Sequence, residues 1–185
     1  MSAVIKTENQ VGSRYRIGMW LALASVAMMF TSLSSAYVVR SGGAKDWFPI
    51  VLPRVLFGST ALILLSSVTL EIARRSLKRS QHNAYVRYVF LTVLLGTSFL
   101  ASQLFAWRQL ASQGIYVASH PYSSFFYLLT GAHAVHLFGG LLGLLFLLIR
   151  ARRQSTQATA DAVTIYWHFM DGLWIYLFLL LFLWR

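Results

Sequence analysis

Five long apolar runs alternate along the chain with short polar connections. They fall at about 17–39, 52–72, 88–107, 124–149 and 163–184. Each is close to the ~20 residues an α-helix needs to cross ~30 Å of hydrocarbon. Inside each run the apolar residues follow one another rather than alternating, so the pattern predicts membrane-spanning helices. The fold class read from it is all-α: a polytopic five-transmembrane-helix bundle at 16–185, preceded by a polar N-terminal segment at 1–15.

The connections carry the matching punctuation. Tyr15, Trp20 and Tyr37 sit near the ends of span one, where amphipathic rings favour the membrane interface. Arg40–Pro49 reads as a loop through Gly42-Gly43 and Pro49, and Pro53 suits the first turn of span two. Glu71 falls at the end of that span, within reach of water. The link from Arg74 to Arg87 is strongly basic. Gly114, His120 and Pro121 mark the turn into span four, and Arg150-Ala-Arg-Arg153 closes it.

The charge distribution gives an orientation. Lys6, Arg14, Arg16, Arg74, Arg75, Lys78, Arg79, Arg87, Arg150, Arg152 and Arg153 fall on one side; Arg40, Lys45, Arg54, Arg108 and Arg185 fall on the other. The positive-inside rule places the first group, and the N-terminus, in the cytoplasm and the C-terminus outside. The net charge of +11 is therefore read as topology rather than as a nucleic-acid surface. Charged residues make up only 11% and mean hydropathy is +0.61, far from a soluble domain with roughly a quarter charged. The absence of cysteine excludes disulfides, iron–sulfur clusters and thiolate metal sites. The first apolar run is too long for a signal core, so no cleaved leader is expected.

Against this background the ionisable residues inside spans four and five stand out. Span five carries His168 and Asp171 three residues apart, on neighbouring positions of one helical face. An Asp at the centre of a membrane helix costs on the order of 2.5–3.5 kcal/mol on insertion scales, so this face must meet protein or water. Span four carries His133 and His136, with Gly131, Gly139, Gly140 and Gly143 as small residues that let a neighbouring helix approach. Counting ~1.5 Å per residue, His136 lies ~18 Å below one boundary and Asp171 ~12 Å above the other, which is the same depth in a ~30 Å core. His136 and Asp171 are accordingly expected to meet across the four–five interface.

Several chemistries compete for these groups. Two intramembrane histidines can ligate a b-type haem, but the depths of His133 and His136 are offset from His168. A metal site of His133, His136 and Asp171 is conceivable from the spacing of the histidines. A proton relay would use the same titrating groups. The reading taken is a structural polar network of His133, His136, His168 and Asp171, because intramembrane polar groups pair with one another. It leaves the chain with no catalytic residue and no bound metal or other cofactor. A small transporter is disfavoured by the single deep acid and the lack of a broken-helix pair. Lys78, Arg79 and Arg152 are candidate contacts to anionic lipid headgroups.

The two motifs Gly131-Ala-His133-Ala-Val-His136-Leu-Phe-Gly139 and Tyr166-Trp-His168-Phe-Met-Asp171-Gly-Leu-Trp174, in this order on the last two spans, resemble subunit III of the haem–copper oxidases, the cytochrome c and quinol oxidase superfamily. Weaker matches run through Ser59-Thr60 and Ser66-Ser67 in span two and Gly96, Phe99 and Gln103 in span three. With five spans the chain resembles the short bacterial form. The resemblance implies a non-catalytic core subunit of a proton-pumping terminal oxidase in a bacterial cytoplasmic membrane. It implies packing on subunit I beside subunit II, structural phospholipid, and haems and copper held only by the partner subunits. In one departure, Val26 stands where the family commonly has a span-one acid, so proton chemistry tied to that acid does not carry over. That departure also favours the alternative of a subunit III-like protein of a nitric oxide reductase. A stand-alone b-type haem or quinone-binding protein is the alternative of another class.

Overall fold

A computed structural model describes residues 2–43, 47–48, 50, 52–151 and 157–184, with side chains from Ile17 onward. Arg152, Arg153, Lys45 and Arg185 lie outside the described residues, as do the side chains of Lys6, Arg14, Tyr15 and Arg16. The described chain is all-helical. Five helices follow in order: α1 (Ser2–Gly43), α2 (Val55–Lys78), α3 (His82–Ser112), α4 (Pro121–Ala151) and α5 (Gln157–Leu183). Each is long and apolar enough to cross a membrane. The polar N-terminal residues continue α1 rather than forming a separate element.

Helices α2, α3, α4 and α5 form a four-sided bundle in which each packs on the next and α5 closes back onto α2. Their contacts give an antiparallel register throughout. On α2 and α3, Thr69 meets Thr92 at 2.8 Å and, ten residues earlier on α2 but eleven later on α3, Gln103 Nε2 donates to Ser59 Oγ at 3.2 Å. On α3 and α4, the Trp107 indole donates to Thr130 Oγ1 at 3.2 Å. Helix α1 lies outside this square, packed on α4 and α5.

The turns explain why consecutive helices are neighbours. The end of α3 is closed by Gly114 at φ 77, with Ile115 N donating back to Leu110 O at 3.1 Å. This is the left-handed cap that glycine adopts without a Cβ penalty. The α2–α3 turn has the same pattern: Gln81 N donates to Ser76 O at 3.0 Å, but the left-handed position is Ser80, at φ 58. A non-glycine residue there carries local strain.

The last carbonyls of α5 have no partner within the helix, and in hydrocarbon they need one. Aromatic hydroxyls from other helices supply it. Tyr122 on α4 donates to Leu181 O at 2.9 Å, and Tyr37 on α1 donates to Trp184 O at 2.6 Å. Trp47 packs edge-on between these two tyrosines, at ring separations of 5.1 and 5.5 Å. The same end is tied again by the Trp184 indole donating to Ser41 Oγ at 2.9 Å. Without hydrophobic drive between helices in lipid, such interhelical bonds and close packing hold the bundle.

Candidate functional site

The centre of the bundle is built around two tryptophans of α5. Trp167 is fully buried, and its indole donates to Ser66 Oγ on α2 at 2.9 Å. Its ring fills space that two glycines leave open. A Cβ on Gly96 of α3 would lie 2.7 Å from the ring, and a Cβ on Gly140 of α4 would lie 3.3 Å from it. Trp174, two turns on, donates to Thr60 Oγ1 of α2 at 3.0 Å and packs edge-on to Phe99 of α3 at 5.0 Å. The spacing of seven between Trp167 and Trp174, matched roughly by Ser66 and Thr60 running the other way, keeps both rings on one seam.

His168 and Asp171 extend that seam. Both hydrogen bond to one hydroxyl, Ser67 of α2: His168 Nδ1 lies 2.8 Å from Ser67 Oγ, and Ser67 Oγ donates to Asp171 Oδ2. The serine has a single proton. With that proton on Asp171, the direction of the His168 bond is set by the tautomer of the ring. The seam ends toward the basic side in an ion-pair group, where Arg74 of α2 meets Asp161 of α5 at 3.3 Å and Glu71 at 2.9 Å.

The structure therefore gives Asp171 a different partner from the one its depth suggested. His136 Nδ1 lies 2.7 Å from its own helix's Ala132 O, its ring meets Phe30 of α1 edge-on at 5.8 Å, and its carbonyl accepts from the Tyr166 hydroxyl at 2.9 Å. Depth fixes height along the bundle but not direction around the helix. α5 lies between α4 and α2, turning Val163 and Tyr166 toward α4 and His168 and Asp171 toward α2.

His133 is fully buried, lying against Trp174 at 5.2 Å and Phe99 at 6.1 Å. Neither of its ring nitrogens has a hydrogen-bond partner among the described residues, nor do Gln103 Oε1 and Asp171 Oδ1. Also among the described residues, no three His, Asp or Glu side chains are grouped to hold a metal ion. His133, His136 and Asp171 thus do not gather into the ligand set their spacing left conceivable. Gly140 and Gly143 lie against α5, toward Tyr166 and Val163; Gly139 lies near the Tyr166 hydroxyl, and Gly131 faces Trp107 of α3. Lys78 and Arg79 are exposed at the end of α2, while Arg152 is outside the described residues.

Sequence reasoning did not assign Ser67 to the histidine and the acid, nor Ser66 and Thr60 to Trp167 and Trp174. Their signal was a serine/threonine repeat at 59–60 and 66–67, a spacing of seven that keeps one helical stripe facing a neighbour.

The fold and the seam define a class: a multi-pass helical membrane protein whose buried polar side chains join helix to helix. Comparison with known sequences gives the family. The pattern of "Cytochrome c oxidase subunit III" matches residues 4–185, and the chain belongs to that family of haem–copper oxidase subunits. A "Probable cytochrome c oxidase subunit 3" of Nocardia farcinica is 34% identical over 170 residues, covering 88% of this chain and 84% of its own. The protein of the same description from Mycobacterium tuberculosis is equally similar, at 34% over 170 residues with the same coverage. "Cytochrome c oxidase subunit 3" of Bacillus sp. strain PS3 is 30% identical over 179 residues, covering 93% of this chain and 86% of its own. These relatives are named as parts of an oxidoreductase complex.

Proposed function

We propose that this chain is the non-catalytic core subunit III of a proton-pumping haem–copper terminal oxidase in a bacterial cytoplasmic membrane. In this role it packs on subunit I beside subunit II and holds structural phospholipid, while partner subunits carry the haems and copper. One observation carries the reading. The second of the two motifs that mark the family forms a seam in which His168, Asp171, Trp167 and Trp174 bond to α2, which supports the work of a scaffold. The basic end of the bundle, with Arg74, Arg75, Lys78, Arg79 and Arg87, faces the cytoplasm, where Lys78, Arg79 and Arg152 contact anionic headgroups. His133, His136, His168 and Asp171 are structural in this account, with only His168 and Asp171 sharing a hydrogen-bond partner.

The test is purification of the chain with its partners in mild detergent, followed by an optical spectrum of the complex and of the separated 20.9 kDa chain. Haem confined to a larger partner, together with oxygen consumption by the complex, is the expected result. Haem on the separated chain would sink the proposal. Recovery with a complex that reduces nitric oxide but not oxygen would replace it with the nitric oxide reductase alternative, which Val26 in place of the usual span-one acid favours.

A further inference from the structure

Two buried polar side chains at the centre of the square keep hydrogen-bonding capacity that the seam does not use. His133 of α4 is fully buried, yet neither ring nitrogen is bonded among the described residues. Gln103 of α3 is 1% exposed. Its Nε2 donates to Ser59 Oγ at 3.2 Å, while Oε1 has no partner among the described residues. Buried side-chain polar atoms are in large majority bonded, to protein or to ordered water.

Contacts from all four helices of the square put the two groups at one level. Phe99, one turn from Gln103 on α3, lies edge-on to His133 at 6.1 Å and to Trp174 of α5 at 5.0 Å. Trp174 lies against His133 at 5.2 Å and donates to Thr60 of α2, next in sequence to the Ser59 that holds Gln103. One turn beyond Gln103, Trp107 donates to Thr130, which is three residues before His133. Gln103 is therefore bracketed on α3 by two residues that touch α4 at 130 and 133.

The count of donors and acceptors decides what fits between them. An isolated charge is not carried into an apolar interior, so the His133 ring is neutral. In either tautomer it has one N–H and one bare nitrogen, and Gln103 Oε1 only accepts. The pair thus presents two acceptors and one donor. Bonding His133 directly to Gln103 would still leave the bare nitrogen without a proton. Asp171 Oδ1, ~5 Å further toward the basic end along α5, is also unpartnered and bonds neither of them. A proton on that oxygen aimed at His133 is the rival way to close the count.

Water supplies two donors from one small molecule, and a buried water typically makes about three hydrogen bonds to groups of this kind. A route to the site is present. A groove of about 470 Å³ opens on the lipid-facing side of α3 and α4 among the exposed Leu104, Val135 and Phe138, and Gln103 lines it. The same amide that reaches Ser59 in the interior thus borders the groove.

We infer that the centre of the square is a binding site for water. One molecule donates to Gln103 Oε1 and to the bare nitrogen of His133. Another accepts from the His133 N–H on the other edge of the ring. This hydration belongs to the scaffold and is independent of which complex the chain joins.

The unaltered protein provides the first test. Trp167 and Trp174 are equally buried, at 0% and 1% exposure, but only Trp174 lies against His133. Radiolytic hydroxyl-radical footprinting generates radicals from bound water where it sits. In the whole complex in native membranes it should oxidise Trp174 roughly threefold faster than Trp167, or more. Gln103→Met, which removes one partner of the water at similar volume, should bring Trp174 down to the rate of Trp167 in the unaltered protein. In parallel, solid-state NMR of the chain with isotope-labelled histidine should show magnetisation passing from water to the His133 N–H, a signal assigned by its loss in His133→Phe. Equal rates for the two tryptophans in the unaltered protein, or no transfer from water to His133, would overturn the inference. So would two protonated nitrogens on His133. So would a contact from an Asp171 carboxyl proton to His133 that Asp171→Asn removes.

Discussion

Replacing Gly96 by alanine tests whether the bundle is held at the spacing that Trp167 sets. The new methyl would sit 2.7 Å from Trp167 Cη2, 3.0 Å from Cζ2 and 3.5 Å from Leu141 Cδ1. Real Cβ contacts do not come that close, so either the indole or α3 must move. The indole has little freedom: its N–H is bonded to Ser66 Oγ at 2.9 Å, and its other edge already lies close to Gly140. Overpacking of this kind costs about 1–3 kcal/mol, and the rigidity of the ring places this case in the upper part of that range. Alanine's better helix propensity returns at most about 1 kcal/mol. The net expectation is a loss of about 1–2 kcal/mol, or roughly a 5–30-fold shift in the unfolding equilibrium. The control is Gly172→Ala, where the same propensity gain applies and a Cβ would meet open space, so that variant should be neutral or slightly stabilised. Equilibrium unfolding of the purified chain in lipid nanodiscs or mixed micelles, followed by circular dichroism, reads both. Trp167→Phe in the Gly96→Ala background should rescue part of the loss, giving a non-additive double-mutant cycle. If Gly96→Ala is as stable as Gly172→Ala, the tight α3–α5 contact through Trp167 is wrong.

Three further outcomes follow from named contacts. Ser67→Ala removes the one hydroxyl shared by His168 and Asp171, leaving both without a partner on α2, and should destabilise the chain by about 1–3 kcal/mol. Ser98→Ala, whose hydroxyl bonds only to Leu94 O of its own helix, should change little in the same unfolding assay. Ser80→Gly relieves the left-handed strain in the α2–α3 turn and should raise stability by about 0.5–1 kcal/mol; a drop would show that the hydroxyl matters more than the backbone. Asp161→Asn breaks a partly exposed ion pair with Arg74 and should cost no more than about 1 kcal/mol, a loss that fades as salt is raised and can be followed by repeating the unfolding at high ionic strength.

The sequence by itself settled the number and type of elements. Length, hydropathy and continuous apolar runs leave one solution in a bilayer, because every backbone group must be bonded within its own helix. It also marked His133, His136, His168 and Asp171 as groups that lipid cannot face, and Gly140 and Gly143 as places of close approach. What it could not settle was direction around each helix. Periodicity within α5 shows that His168 and Asp171 share a face, but the neighbour of that face depends on which helix packs there. α2, remote in sequence, closes the square against α5 and brings Ser67, Ser66 and Thr60 to the seam. The expected His136–Asp171 contact failed for this reason: equal depth is a one-dimensional condition, and a hydrogen bond needs three. The arrangement around Trp167 was likewise hidden. The functions of Gly96 on α3 and Gly140 on α4 become visible only when the large ring of α5 is placed between them, since packing at near-solid density is decided by all the helices together.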